Sequence, residues 1–324
     1  MRSWKTVLVP LDGSALAEAA LPYAVAVAEA RHGCIELLSI VETDDEGLVG
    51  ASSSDVLDYI TRVRLEGMEE FLKVAARGIE EQGIPVTTRI TTGNAADDIV
   101  ATAENTRASM VVMSTHGRGG LDRWLIGSVA DKVMRLSTCP TLLVQAAAEE
   151  PPRATKRVAF KRLMVPLDGS SLAERALKPA AELARETGAE LILVRVESWF
   201  PSWLAGDMVP YPVGIDEAMG QAAEDYLAHV RYRLSAGVQT SAHVMRGVAS
   251  DSLTAFAHET AIDLIVMTTH GRGGLRRLVM GSVADRLVRS ETPVLLIKPR
   301  PVRSRQATSK RHSSPTQATA APRT

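Results

Sequence analysis

The chain has 324 residues, 45% of them hydrophobic, with 37 basic and 38 acidic side chains; that is about two domains' worth, since a single core seldom outgrows ~250–300 residues. Its last 26 residues hold six Lys or Arg and no acid, so the rest has 31 basic against 38 acidic residues and a net charge of −7, which argues against a nucleic-acid partner. No apolar run reaches the ~18–20 residues of a membrane span and the N-terminal stretch has no signal-peptide core, so a cytoplasmic protein without membrane contact is expected.

In chain order, residues 6–11 form an apolar run that reads as a buried strand, and 15–31 as a helix whose apolar positions recur at Leu16, Ala20, Tyr23 and Val27, with Ser14 as its N-cap. A strand over 35–41 and a long helix over 55–82 follow. Strand, helix and strand then come at 86–90, 96–104 and 110–113, and a helix at 128–136 leads to a last strand at 141–144. Strands apolar throughout and separated by helices imply a parallel sheet covered on both faces, the doubly wound α/β fold. In that fold ligands bind beyond the carboxyl ends of the strands, where the winding direction switches. Cys34 and Cys139 have neither metal-ligand nor disulfide spacing and read as small hydrophobes.

The pattern occurs twice. "VLVPLDGSALAEAALPYA" from Val7 returns as "LMVPLDGSSLAERALKPA" from Leu163, and "TTGNAADDIVATA" from Thr91 as "MRGVASDSLTAFA" from Met245. "STHGRGGLDRWLIGSVADKVMRL" from Ser114 returns as "TTHGRGGLRRLVMGSVADRLVRS" from Thr268. A shift of about 154 to 156 residues, kept in order, marks a tandem duplication. "QAAAEEPPRATKR" between the copies is a charged linker, and the basic, Pro-rich C-terminal tail is expected to be disordered. The copies differ after the second strand, where "TDDEGLVGASSSD" faces "SWFPSWLAGDMVPYPVG". The aromatics of the latter either pack internally or form a partner-facing patch or lid.

The glycine-rich passage follows a strand and ends at a helix start, an arrangement that makes an anion site from free backbone N–H groups and the helix dipole. Gly117, Gly119 and Gly120, with Gly271, Gly273 and Gly274 in the second copy, allow the backbone to approach phosphate oxygens. Arg118 and Arg272 supply guanidinium groups, and Ser128 and Ser282 supply hydroxyls after Gly127 and Gly281, with Val129 and Val283 next in the helix. His116 and His270 can pair with phosphate or brace the loop. Pro10, Leu11 and Asp12 end the first strand, as Pro166, Leu167 and Asp168 do in the repeat. The aspartate can cap the next helix or accept hydrogen bonds from a ribose or base. The passage lacks the Gly-Lys-Ser/Thr of a P-loop and comes too late in the unit for a dinucleotide fingerprint.

These residues resemble the universal stress protein family in its tandem two-domain form, with domains at 1–147 and 160–298, a linker at 148–159 and a tail at 299–324. Nucleotide-binding members carry Gly, two residues, Gly, nine residues, then Gly-Ser or Gly-Thr. Gly117, Gly127 and Ser128 match that spacing, as do Gly271, Gly281 and Ser282, while Ser114 and Thr268 stand at the motif's first Gly. The resemblance implies a five-stranded parallel sheet in order 3-2-1-4-5 per domain and ATP, with Mg²⁺, as ligand. It puts Asp12 and Asp168 near ribose or adenine, Ile40 and Val196 with their backbone at the adenine edge, and the loops at the phosphates. It further implies pairing of the two last strands into an internal pseudo-dimer, with a homodimer of whole chains as a further step. The expected function is a nucleotide-dependent stress or regulatory module with at most slow hydrolysis. A nucleotide-free interaction module and a true ATPase or nucleotidyl transferase are the alternatives.

Overall fold

A computed structural model describes residues 5–42, 54–115, 126–145, 157–197, 215–234, 237–269 and 280–298, and every structural statement below concerns those. The first half runs β1 (Thr6–Pro10), α1 (Ala15–Glu18), α2 (Leu21–Arg31), β2 (Cys34–Val41), α3 (Ser54–Glu80), β3 (Val86–Thr92), α4 (Ala95–Asn105), β4 (Met110–Ser114), α5 (Ser128–Leu136) and β5 (Thr141–Val144). The second half repeats it with β6 (Arg162–Pro166), a 3₁₀ turn (Ala173–Ala176), α6 (Leu177–Thr187), β7 (Glu190–Glu197), α7 (Ile215–Leu234), β8 (Thr240–Arg246), α8 (Ala249–Glu259), β9 (Leu264–Thr268), α9 (Ser282–Val288) and β10 (Val294–Ile297).

All ten strands form one sheet in the order β3-β2-β1-β4-β5-β10-β9-β6-β7-β8. Each half therefore has the order 3-2-1-4-5, parallel within itself, as the resemblance implied. The halves join where β5 and β10 pair antiparallel, Leu142 opposite Leu295 and Thr141 opposite Leu296. Because the strands are covered on both faces, neighbouring residues serve different cores. Val7 and Val9 belong to the core that includes α2, α3, α6 and α7, whereas Leu8 belongs to the core that includes α4, α5, α8 and α9. Both cores run through the two halves, which accounts for the lack of alternation in runs such as "TVLVP".

The expected single helix over 15–31 is two helices, broken after Glu18. Pro22 has no N–H to bond the Glu18 carbonyl, and its ring crowds that oxygen. Pro179 does the same to Arg175 in the second half, where a 3₁₀ turn precedes α6. Ser14 is the N-cap expected of it, accepting from the Ala17 N–H at 3.2 Å.

Side chains reinforce the seam. Arg31 of α2 pairs with Glu186 of α6 at 2.8 Å, and Tyr23 packs on Phe160 with ring centroids 6.3 Å apart. Arg135 pairs with Asp131 on α5 and Arg289 with Asp285 on α9, and each arginine also feels the aspartate of the other half. Lys298, just after β10, donates to the Arg135 carbonyl at the C-terminal end of α5, where the helix dipole favours a cation. Burial still pushes the Lys298 ammonium down from 10.5 to about 8. Below pH 8 both folded and unfolded chains hold this proton and the buried charge opposes folding. Between about 8 and 10.5 the folded chain sheds it first, so this group's contribution to stability rises with pH. Urea midpoints across that window are expected to show the rise in the wild type and to lack it in Lys298→Met.

Candidate functional site

The winding reverses at β1, which has β2 on one side and β4 on the other. The ends of β1 and β4 therefore flank a crevice at the carboxyl edge of the sheet, and those of β6 and β9 frame its counterpart. Leu11 extends β1 by donating to the Leu38 carbonyl at 2.8 Å, as Leu167 does to Val194 at 2.8 Å. Pro10, Leu11, Pro166 and Leu167 thus bring Asp12 and Asp168 to the crevice edge.

There the chain turns through Gly13, at φ 80°, and Gly169, at φ 81°, a left-handed conformation that strains any residue with a Cβ. The turn is tied by the aspartate: Asp12 Oδ1 accepts from the Ser14 N–H at 2.9 Å and from the Ser14 hydroxyl at 2.6 Å. In the second half Asp168 Oδ1 accepts from the Ser170 N–H at 2.9 Å. Of the two roles open to the aspartate, helix capping falls in the first half to Ser14, which accepts from Ala17, and in the second half Ser170 accepts from Ala173. The half-buried carboxylates are instead held in a fixed orientation at the crevice.

On the other side, Ser114 and Thr115 at the end of β4 are 7% and 1% exposed. The Thr115 N–H bonds to Val144 at 2.9 Å, and its carbonyl accepts from the Gly127 N–H at 2.8 Å. The chain segment between Thr115 and Gly127 therefore starts and ends at one point. Thr268 and Thr269 are equally buried, and the Thr269 carbonyl accepts from Gly281 at 3.1 Å. Gly127 and Gly281 are N-caps without a side-chain cap. Ser128 and Ser282 are exposed, and the N–H groups of Ser128, Val129, Ser282 and Val283 have no partner among the described residues. Such a helix start supplies oriented donors and partial positive charge to an anion.

Ile40 and Val196 lie late in β2 and β7, half-buried, with side chains on the core of α4, α5, α8 and α9. His116, Gly117, Arg118, Gly119 and Gly120, and equally His270, Gly271, Arg272, Gly273 and Gly274, lie outside the described residues, as do the aromatic segment before α7 and the basic tail. Among the described residues no group of His, Cys, Asp and Glu is arranged to hold a metal, and no helix is long and apolar enough to cross a membrane.

One polar group beside the second crevice was not anticipated. Arg195 of β7 donates to Glu197 at 2.5 Å and lies 5.0 Å over the Tyr226 ring of α7, while the Tyr226 hydroxyl donates to Glu174 at 3.1 Å. Burial, followed by Glu174, raises the Tyr226 phenol well above its usual 10. The charge interrupting an otherwise apolar strand in "ELILVRVE" was the available signal.

The fold and crevices define a tandem α/β protein with an uncapped helix start in each half. The chain belongs to the universal stress protein family, which it matches over residues 3–145 and 159–298. It is 26% identical over 302 residues to a universal stress protein of Mycolicibacterium smegmatis, covering 91% of this chain and 97% of that one. A universal stress protein of Methanocaldococcus jannaschii is 32% identical over 147 residues, covering 45% of this chain and 85% of that one. The crystal structure of a universal stress protein from Archaeoglobus fulgidus shares the fold with a TM-score of 0.66 at 23% identity, covering 91% of this chain and 99% of that one.

Proposed function

We propose that each half binds one ATP, or a closely related adenine nucleotide, and that occupancy rather than turnover is the output. The observation carrying this reading is the uncapped start of α5, whose first N–H groups have no partner among the described residues, together with the tied aspartate at the end of β1, the strand beside β4 at the sheet's switch point. In this reading the phosphates lie against the N–H groups of Ser128 and Val129 and the Ser128 hydroxyl. The ribose or base is held by Asp12, and the adenine edge meets the backbone at Ile40. Ser282, Val283, Asp168 and Val196 take these roles in the second half. Bound Mg²⁺ would neutralise part of the phosphate charge.

A regulatory role follows from where α5 leads. Its N-terminus would hold phosphate, while near its C-terminus the Arg135 carbonyl accepts from Lys298 of the other half, and Arg135 and Asp131 are within electrostatic reach of Asp285 and Arg289 of α9. Occupancy that shifts α5 is thereby felt at the seam. Hydrolysis is expected to be slow, because Asp12 and Asp168, the acids at the ends of β1 and β6, are engaged in holding turns. Fluorescence or calorimetric titration should give the same affinity for ATP and for a non-hydrolysable analogue, with phosphate release far slower than nucleotide exchange. Rapid turnover would favour the enzyme reading, and no binding at millimolar nucleotide would remove the proposal.

A further inference from the structure

One face of the sheet carries α3 at one end and α7 at the other. α3 packs on β2 and β3 and α7 on β7 and β8, and both contribute to the core that includes α2 and α6. Between α6 and α7 lies a groove of about 300 Å³. Its floor is apolar, made by Leu177, Ala181 and Leu234, and exposed Lys178, Arg185 and Arg233 stand around it. Against these three cations the lining has one acid, Glu174, paired with Arg233 at 2.7 Å, so its net charge is +2.

At the other end α3 turns an apolar and acidic stripe outward. Tyr59, Val63 and Val74 are 60%, 47% and 59% exposed, three of the seven exposed large apolar side chains among the described residues. Glu66 and Glu70 fall between Val63 and Val74 at helical spacings of three and four, and neither makes an ion pair among the described residues. Beside them Gly67 sits in the helix interior, where a Cβ would meet nothing. Glycine costs about 1 kcal/mol against alanine at such a place. Packing within the chain does not account for it, whereas close passage of a second surface does.

The two halves have diverged in a complementary way. With Phe71-Leu72 aligned on Tyr226-Leu227, both leucines being 1% exposed, Val63, Glu66 and Val74 become Ala218, Gln221 and His229, so α7 lacks the stripe. In the same alignment Arg233 becomes Gly78, and counted from the PLDGS turns Lys178, Ala181 and Arg185 become Pro22, Val25 and Glu29, so the first half lacks the basic groove.

We infer that the α3 stripe of one copy seats in the α6–α7 groove of a second copy, in a two-fold dimer that forms both contacts at once. A two-fold axis between two such faces, parallel to the seam, brings the α3 end of each over the α7 end of the other. Glu66 and Glu70, about 6 Å apart along α3, then fall within the about 10 Å from Lys178 to Arg185 along α6, and the exposed apolar side chains cover the groove floor. The contact lies on the face opposite α5 and α9 and is independent of nucleotide binding.

Sedimentation velocity of the full chain tests it, comparing wild type with Glu66→Arg/Glu70→Arg and with Lys178→Glu/Arg185→Glu. The wild type is expected to dimerise at about 10–100 μM, and each charge-reversed variant to bind itself about a hundredfold or more weakly. An equimolar mixture of the two variants is expected to restore the dimer, because both contacts regain opposite charges. Gly67→Gln, which favours the helix but adds bulk to the stripe, is expected to weaken the dimer severalfold. A wild type that stays monomeric at about 100 μM, a dimer that survives both reversals, or a mixture of variants with unchanged melting temperatures that stays monomeric would overturn the inference.

Discussion

Replacing Asp12 by Ala is expected to weaken nucleotide binding in the first half while leaving the second unchanged, and Asp168→Ala to do the reverse. A hydrogen bond to a charged acceptor is worth about 1.5–3 kcal/mol, which corresponds to about ten- to a hundredfold in affinity per site. The alanine variants also loosen the turn that Asp12 ties through Ser14, so part of the loss comes from misplacing the start of α1. Asp12→Asn and Asp168→Asn separate the effects. Asparagine still accepts from the Ser14 or Ser170 N–H but carries no charge. Binding lost in the Asn variants with unchanged melting temperature identifies the carboxylate as a ligand contact. Calorimetry showing both sites intact in the double Ala variant would refute the assigned role.

The second large effect concerns the seam. Leu142 and Leu295 are 0% and 1% exposed, stand opposite each other in the β5–β10 pair, and belong to the same core. Either residue changed to Ala is expected to cost about 2–5 kcal/mol, because the surrounding packing closes only partly over the lost methyl groups. Their contact should appear as a coupling of about 0.5–3 kcal/mol in a double-mutant cycle. Since both cores run through both halves, urea unfolding should remain one transition that moves to lower denaturant in either variant. Two separated transitions, with only one displaced, would show that the halves unfold independently and that the shared sheet contributes little.

Much of this architecture was legible in the sequence, for identifiable reasons. Strands buried on both faces appear as unbroken apolar runs, so β1, β4 and β5 stood out, and the duplication gave every assignment a second witness. Ser14 could be recognised as a cap because its hydroxyl chemistry is local. The helix break was legible too, since Pro22 and Pro179 occupy equivalent places, but the apolar spacing through Ala20 and Tyr23 masked it. At the site, Asp12 and Gly127 were legible because strand end and helix start are set by short-range signals. The division of labour between Asp12 and Ser14 was not, because it depends on the φ 80° turn at Gly13. The Arg195, Tyr226 and Glu174 group was hidden for a different reason. Its members are spread over 53 residues, and only the pairing of β6 with β7 and the packing of α7 bring them together.

In the proposed reading two corresponding frames, each an aspartate-tied turn with an uncapped helix start, hold one nucleotide apiece. Non-denaturing mass spectrometry of the full chain titrated with ATP and Mg²⁺ tests it most directly, because it counts ligands and reports assembly in one spectrum. Two ATP per chain at saturation is the predicted result, with the second ATP in Asp12→Ala appearing only at about ten- to a hundredfold higher ATP. A chain that stays unliganded at millimolar ATP would contradict it.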